Sequence, residues 1–318
     1  MIELDYDKVH FITLYTGTNG YHNCYCKCPC CTQRNINDVY QGKIEQVEEL
    51  FNRFKNIKQM YILGNPDPLV DVKFCNETSK LSVSKGANVC YSTSGVGGLN
   101  RIKQLIDEID LNKIDYISYS IDSVIPKKMS MLKGIDYPFN SVIEAIDWLV
   151  KNNYPVKIQP TLWSSNYQET FNIIEYFANL GVNLFTFHIG SNETATFDTH
   201  NHLTEEQVKY VHSLMEKAYS KYHVNITCPI IYPSCGDNDL NKWYCMQPEK
   251  CENLLAFLQK DGVYVTNVPM VSEIDSKFMY NIQNPIMLHQ FKQDDVCPIS
   301  DYTAKTKTLC RYVKKNWS

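Results

Sequence analysis

The chain has 318 residues, enough for one large domain or a large domain with a smaller appendage. Its 44% hydrophobic and 21% charged residues are those of an ordinary globular protein, and a net charge of −4 offers no basic field to attract nucleic acid. The opening Met1-Ile2-Glu3-Leu4-Asp5 is acidic rather than signal-like, and no apolar run reaches bilayer length, so a cytoplasmic protein without membrane or nucleic-acid partners is expected.

Apolar runs and helical periodicity alternate along the chain. Residues 9–16 are almost continuously apolar, as in a strand buried on both faces, and Ile44, Val47, Phe51 and Phe54 follow at helical spacing. A short strand at 60–63 ends at Gly64, a weaker helix covers about 71–85, and 89–93 is a third strand. Leu99, Ile102, Leu105, Ile106 and Ile109 mark a helix. The pattern repeats with strands at 116–121, 156–163 and 184–189. Between them lie helices carrying Val142, Ile146, Leu149 and Val150, and then Phe171, Ile174, Phe177 and Ala178, the second stopped at Gly181. Thr204 and Gln207 have capping-box spacing at the start of a helix with Val208, Val211, Met215 and Ala218, and 224–231 reads as a seventh strand. Six βα units predict an α/β fold, a partial (β/α)6 barrel over residues 1–232, with chemistry at the carboxyl ends of its strands. After residue 232 the alternation fails and cysteines return, which predicts a separate C-terminal module over 233–318.

Thirteen cysteines are more than a reducing compartment needs for structure, and clustered thiols there are metal ligands or catalysts. Five lie in Cys24-Tyr25-Cys26-Lys27-Cys28-Pro29-Cys30-Cys31, directly after the first strand. Cys24, Cys28 and Cys31 fit a three-then-two spacing that Cys26 and Cys30 cannot reproduce. Three thiolates can hold three irons of a cubane cluster and leave the fourth open. A zinc knuckle built from four of the five thiols is the competing reading, though structural zinc usually takes two separated ligand pairs.

This cysteine spacing behind a first strand resembles the radical S-adenosylmethionine (SAM) enzyme superfamily. The resemblance implies that Cys24, Cys28 and Cys31 ligate a 4Fe-4S cluster whose open iron is chelated by the amino and carboxylate groups of SAM. One electron, from a donor such as flavodoxin or ferredoxin, then releases a 5′-deoxyadenosyl radical that abstracts hydrogen from substrate. The residue before the third cysteine is usually aromatic and packs near the adenine; here it is Cys30. Asp67-Pro68-Leu69 aligns with the Glu-Pro-Leu end of the family's glycine-rich SAM motif, with Asn65 and Pro66 where glycines usually stand; the alternative is a proline-rich turn. Ser92, Thr93 and Ser94 end the third strand before Gly95, where hydroxyls and N–H groups could receive the SAM carboxylate. Ser120 and Asp122 end the fourth strand and are candidates for the ribose or carboxylate, and Gln159 with Thr161 could line the site from the fifth. Lys157, Trp163 and His188 could also point inward, but a lone His or Trp on a strand is usually satisfied core.

Six cysteines, Cys228, Cys235, Cys245, Cys251, Cys297 and Cys310, follow the barrel. Cys251, ten residues, Gly262 and four residues lead to Asn267, which resembles the first signature of a SPASM/Twitch auxiliary-cluster module with asparagine in place of its second cysteine. One auxiliary cluster on Cys235, Cys245, Cys251 and Cys297 is expected; buried, metal-free cysteines are the alternative. Cys228, in the last strand-like run, is either a hydrogen-atom donor to a substrate radical or a small core residue. The SPASM/Twitch likeness favours a ribosomally made peptide as substrate, undergoing epimerisation, thioether formation or C–C crosslinking. No peptide-recognition domain is expected ahead of the first strand, so a leader would bind the barrel or a partner protein. A small molecule such as a sugar, aminocyclitol or modified nucleoside is the runner-up, and a non-enzymatic metal-binding module the third reading.

Overall fold

The computed structural model describes residues 2–3, 5–17, 23–29, 31, 40–189, 203–227, 253–266, 280–284 and 287–288. Burial alternates along the strands as a sheet with helices on one face requires. In β1 (Phe11–Tyr15), Ile12 and Leu14 are buried against helix α1 (Ile44–Arg53) and its neighbours, while Thr13 and Tyr15 turn to the other face. In β2 (Gln59–Gly64), Met60 and Ile62 do the same. The succession continues through α2 (Val72–Ser84), β3 (Asn88–Thr93), α3 (Gly98–Leu105), β4 (Ile114–Tyr119), α4 (Pro126–Lys133) and α5 (Phe139–Lys151). It ends with β5 (Val156–Ile158), α6 (Thr170–Asn179), β6 (Leu184–Thr186), α7 (Glu205–Tyr222) and β7 (Asn225–Thr227).

Strands β1 to β7 pair in parallel, in chain order, as right-handed βα units do. The result is a partial (β/α)6 barrel. The fifth and sixth strands predicted from the sequence are each broken. Beyond β5, Thr161–Leu162 pairs with His188–Ile189 as a separate ribbon, because Pro160 cannot donate to the ladder. The capping box at Thr204 is present: its hydroxyl accepts from Gln207 N–H and the Gln207 side chain accepts from Thr204 N–H.

Two features have no counterpart among the elements that periodicity predicts. Helix α4 is one; its weak amphipathicity hides it, although Pro126 at its first turn and Gly134 at φ +64° just past its end are start and stop signals. The other is a hairpin of β8 (Asn253–Gln259) and β9 (Gly262–Thr266), followed by β10 (Tyr280–Asn281). Strand β8 pairs in parallel with β1, so this segment from the region after residue 232 belongs to the barrel's own sheet, whose order is β7-β6-β5-β4-β3-β2-β1-β8-β9-β10. Gly262, the glycine of the spacing from Cys251, opens β9 at φ +151°.

Gln46 ties the hairpin to the first helix. Its Nε2 donates to the carbonyls of Gln259 and Gly262, and its Oε1 accepts from Lys43 N–H and the Tyr40 hydroxyl. Replacing Gln46 by Ala removes all four of these hydrogen bonds and should cost about 1–3 kcal/mol in chemical denaturation. Hydrogen exchange should accelerate in β8 and β9, and unchanged exchange there would show that β1 pairing alone holds the hairpin.

Candidate active site

Parallel strands deliver all their carboxyl ends to one rim, and the cysteine loop follows the first of them. Gly17 lets the chain leave β1 in a confined space: a Cβ there would lie 2.2 Å from the Tyr40 carbonyl oxygen and 2.3 Å from the Asn65 side-chain nitrogen. The loop is then moored at two points. The Tyr25 hydroxyl donates to the Leu69 carbonyl after β2, and Lys27 N–H donates to the Lys133 carbonyl at 2.8 Å. Gly134 makes the second mooring possible, since its Cβ would meet the Lys27 oxygen at 2.3 Å.

Within the loop Cys24, Cys28 and Cys31 are half-buried and Cys26 is buried. Hydrogen bonding to Cys24, then burial, pushes the Cys26 thiol up to about 12, against an opposing contribution from Cys28. Hydrogen bonding to Cys26 and burial raise Cys28 as well. These thiols are therefore close neighbours, and Cys31 N–H donates to the Cys28 carbonyl at 3.1 Å. No three His, Cys, Asp or Glu groups among the described residues converge on a point where one ion would sit. Thiolates of a cubane cluster bind separate irons, and the three half-buried thiols of Cys24, Cys28 and Cys31 in one loop are a donor set that fits such a cluster.

Asp67 is the most heavily bonded residue of the next loops. One carboxylate oxygen accepts from the Thr93 hydroxyl at 2.8 Å and Leu69 N–H at 2.9 Å; the other accepts from Ser94 N–H at 2.7 Å and its hydroxyl at 2.8 Å. Thr93 Oγ1 in turn accepts from Gly95 N–H. Asp67 and Thr93 are thus brought together as a clamp between the ends of β2 and β3. Asn65 Nδ2 donates to the Tyr40 carbonyl, and Ser92 lies one residue below the clamp on the inner face.

A buried ion pair occupies the end of β4. Asp122 lies 2.7 Å from Lys133 Nζ, which also donates to Ser120 Oγ at 2.7 Å, and the second Asp122 oxygen accepts from Thr161 N–H at 2.7 Å. Burial works to lower Lys133, but Asp122 and the thiols of Cys28 and Cys26 outweigh it and the net shift is upward. Lys133 escapes a sequence reading because it closes an unpredicted helix; only Pro126 and Gly134 bracketing it could have shown it. Glu169, also missed, bonds the Ser123 hydroxyl at 2.6 Å and pairs with Lys128 at 2.6 Å, tying the loop after β4 to the start of α6. Gln159 accepts from Ser118 Oγ at 2.9 Å and from the Tyr61 hydroxyl at 3.3 Å, across three strands of the inner face. Cys30, Cys228, Cys235, Cys245, Cys251, Cys297 and Cys310 lie outside the described residues.

Residues 18–177 match the family model described as the radical SAM superfamily, just over half of the chain. The chain belongs to the radical SAM superfamily. The superfamily is one whose members use SAM and a 4Fe-4S cluster. No curated protein matches the chain by sequence. Among solved structures it is similar to SuiB of Streptococcus suis bound to S-adenosylmethionine, at 12% identity and TM-score 0.62, covering 87% of this chain and 62% of SuiB. SuiB bound to its precursor peptide SuiA gives 13% and 0.58, covering 80% and 58%. The enzyme anSMEcpe with bound AdoMet and Kp18Cys peptide gives 17% and 0.62, covering 87% and 79%. The chain spans about three fifths of the length of SuiB. At these identities the likeness shows the fold.

At the mouth of this radical SAM barrel, His188 contradicts its reading as satisfied core: its Nε2 is buried with no hydrogen-bond partner among the described residues. Burial, then the Lys157 charge, push the imidazole down to about 4, with Asp122 opposing. Its folded value lies below the ordinary 6.5, so the unfolded chain takes up this proton first as pH falls. His188 should therefore subtract stability progressively between about pH 6.5 and about pH 4. The thermal midpoint of His188→Phe should fall less steeply across that window than that of the wild type; parallel slopes would show that His188 is already charged or solvated.

Proposed function

We propose that this enzyme modifies a peptide at an unactivated C–H bond, by epimerisation, thioether formation or C–C crosslinking. The observation that carries this reading is that SuiB and anSMEcpe, which share the fold over 80% or more of this chain, have each been solved with a peptide bound. When bound to the cluster, SAM supplies the 5′-deoxyadenosyl radical that abstracts the hydrogen. Cys24, Cys28 and Cys31 hold the cluster, and Tyr25, Lys27 and Gly134 fix the loop that presents them. Asp67, with both oxygens engaged, acts as a positioning residue that shapes the turn after β3, and Asp122, held by Lys133 and Thr161 N–H, positions the rim in the same way; Ser92, Ser120 and Gln159 are the remaining polar groups proposed to face SAM. Asn65, Thr93 and Cys30 complete the SAM-facing set. The electron comes from a low-potential donor of the flavodoxin or ferredoxin class.

The region after residue 232 is read as an auxiliary module with a second cluster on Cys235, Cys245, Cys251 and Cys297. Its support is the hairpin of β8 and β9, which spans the stretch between Cys251 and Asn267 with Gly262 at its turn. Cys228 directly follows β7, whose Thr227 carbonyl accepts from Phe187 N–H at the rim beside His188. A thiol there suits a hydrogen-atom donor, as epimerisation requires.

Anaerobic reconstitution should load about eight irons per chain if both clusters form and about four if only the first does. With reductant and SAM the protein should release 5′-deoxyadenosine, and joint replacement of Cys24, Cys28 and Cys31 by Ala should abolish that release. Stoichiometric zinc without iron–sulfur absorption would overturn the assignment. For Cys228, turnover in deuterated water gives the readout: Cys228→Ala should keep solvent deuterium out of the product, whereas wild-type incorporation in that variant returns Cys228 to a structural role.

A further inference from the structure

Much of the polar inner face of the barrel is internally satisfied. Asp115 accepts from Gln59 Nε2 with one oxygen and from Asn88 Nδ2 with the other. One layer higher, Tyr61 and Ser118 share the Gln159 oxygen. Lys157 stands apart. It sits on β5 between Val156 and Ile158, which are buried against the helices, and its register partner across β4 is Ser118, itself paired with Ser92.

Among the described residues the Lys157 ammonium has no hydrogen bond and no carboxylate partner. It lies 3.4 Å from the Tyr116 ring centroid and 5.4 Å from that of Tyr61, two rings inclined at 70° to each other. Ring faces attract a cation but replace only part of the hydration that burial removes. Burial accordingly pushes Lys157 down to about 8, with Cys90 opposing. Two other lysines of this end are paired with carboxylates, Lys133 with Asp122 and Lys128 with Glu169, and the half-buried Lys27 donates to the Cys24 carbonyl. A partly desolvated cation on the inner face, without an anionic partner among the described residues, is what an incoming anion would complete.

We propose that Lys157 is the recognition site for a carboxylate of the substrate, flanked by Tyr61, Tyr116 and Ser118. The charge count selects a carboxylate, because one cation balances a monoanion and leaves a phosphate dianion half unpaired. This rests on the reading of the barrel as the substrate chamber of a peptide-modifying enzyme, and there the carboxylate is an Asp or Glu side chain or a chain end. The substrate is thereby oriented, its anionic end down in the barrel and its reacting carbon toward the rim.

The test uses butyrate as the carboxylate probe and butyramide as its neutral counterpart, titrated calorimetrically into the reconstituted holoenzyme. Butyrate should bind, butyramide should bind at least tenfold more weakly, and Lys157→Met should lose the difference, about 1.4 kcal/mol for tenfold. Butyrate affinity should also decline above about pH 8, where Lys157 discharges. Of the groups facing it, Tyr61 and Cys90 are pushed up to about 12 by burial, Tyr116 is raised by burial and His188 is pushed down to about 4, so none of these titrates near pH 8. The Asp115 carboxylate is engaged by Gln59 and Asn88. Equal binding of butyrate and butyramide to the wild type, or equal butyrate affinity in Lys157→Met, would overturn the proposal and leave Lys157 as a packing cation. Should Lys157→Met fail to fold, the wild-type comparison of the two probes decides alone. Release of 5′-deoxyadenosine by the same holoenzyme reports the reaction class separately, so failure of one reading is distinguishable from failure of the other.

Discussion

A buried ammonium must be neutralised where it lies, and the rim of this barrel is organised around one such requirement. Among the described residues Lys133 is neutralised by Asp122, just beyond β4, and the same lysine ends α4, whose last carbonyl holds the cysteine loop. One ion pair therefore connects three separate stretches of chain: the loop that carries the thiols, the strand end that faces them, and the helix between them. Removing either charge would strand the other in an apolar setting, at a cost far above that of a surface pair. The ion pair also fixes which way Ser120 and Asp122 face, since both give an oxygen to the same nitrogen.

What the sequence made legible was local. Strand and helix periods of 2 and 3.6 are written into neighbouring residues, and all six βα units could be read from them. Cys24, Cys28 and Cys31 were legible for the same reason, because ligand spacing within eight residues needs no knowledge of the fold. Long-range pairing was not legible. Asp67 as a clamp depends on Thr93 and Ser94, and Lys133 depends on Asp122, partners that only the sheet brings near. Helix α4 escaped because its buried residues, Met129, Leu132 and Lys133, include a lysine that hydrophobic periodicity scores as exposed. His188 was expected to be satisfied core because most strand histidines are, and nothing in its neighbours announces a missing partner.

The chamber divides by function along its depth. Near the amino ends of the strands, Gln59, Asn88 and Asp115 satisfy one another and close the floor. Toward the carboxyl ends, Asp67 and the Lys133–Asp122 pair consume their own polar capacity to set loop geometry. Between these two layers the wall is aromatic and polar at once. A radical reaction benefits from such a division, because rigid outer layers limit where a reactive carbon can wander while the middle layer remains available for recognition.

The parallel pairing of β8 with β1 has a consequence for how the chain is made. β1 leaves the ribosome well before its outer neighbour, residues 253–257, which follow it by about 240 residues (253 − 11). Until that segment emerges, Phe11, Thr13 and Tyr15 line an open strand edge beside the five-cysteine loop. Contacts of such sequence separation form late and slow the completion of a fold. The nascent barrel thus passes through a stage with an unprotected edge and exposed thiols together, when chaperone cover and a reducing environment matter most. The strand that shields the edge is also the one that finishes the sheet, so protection and completion arrive in the same event.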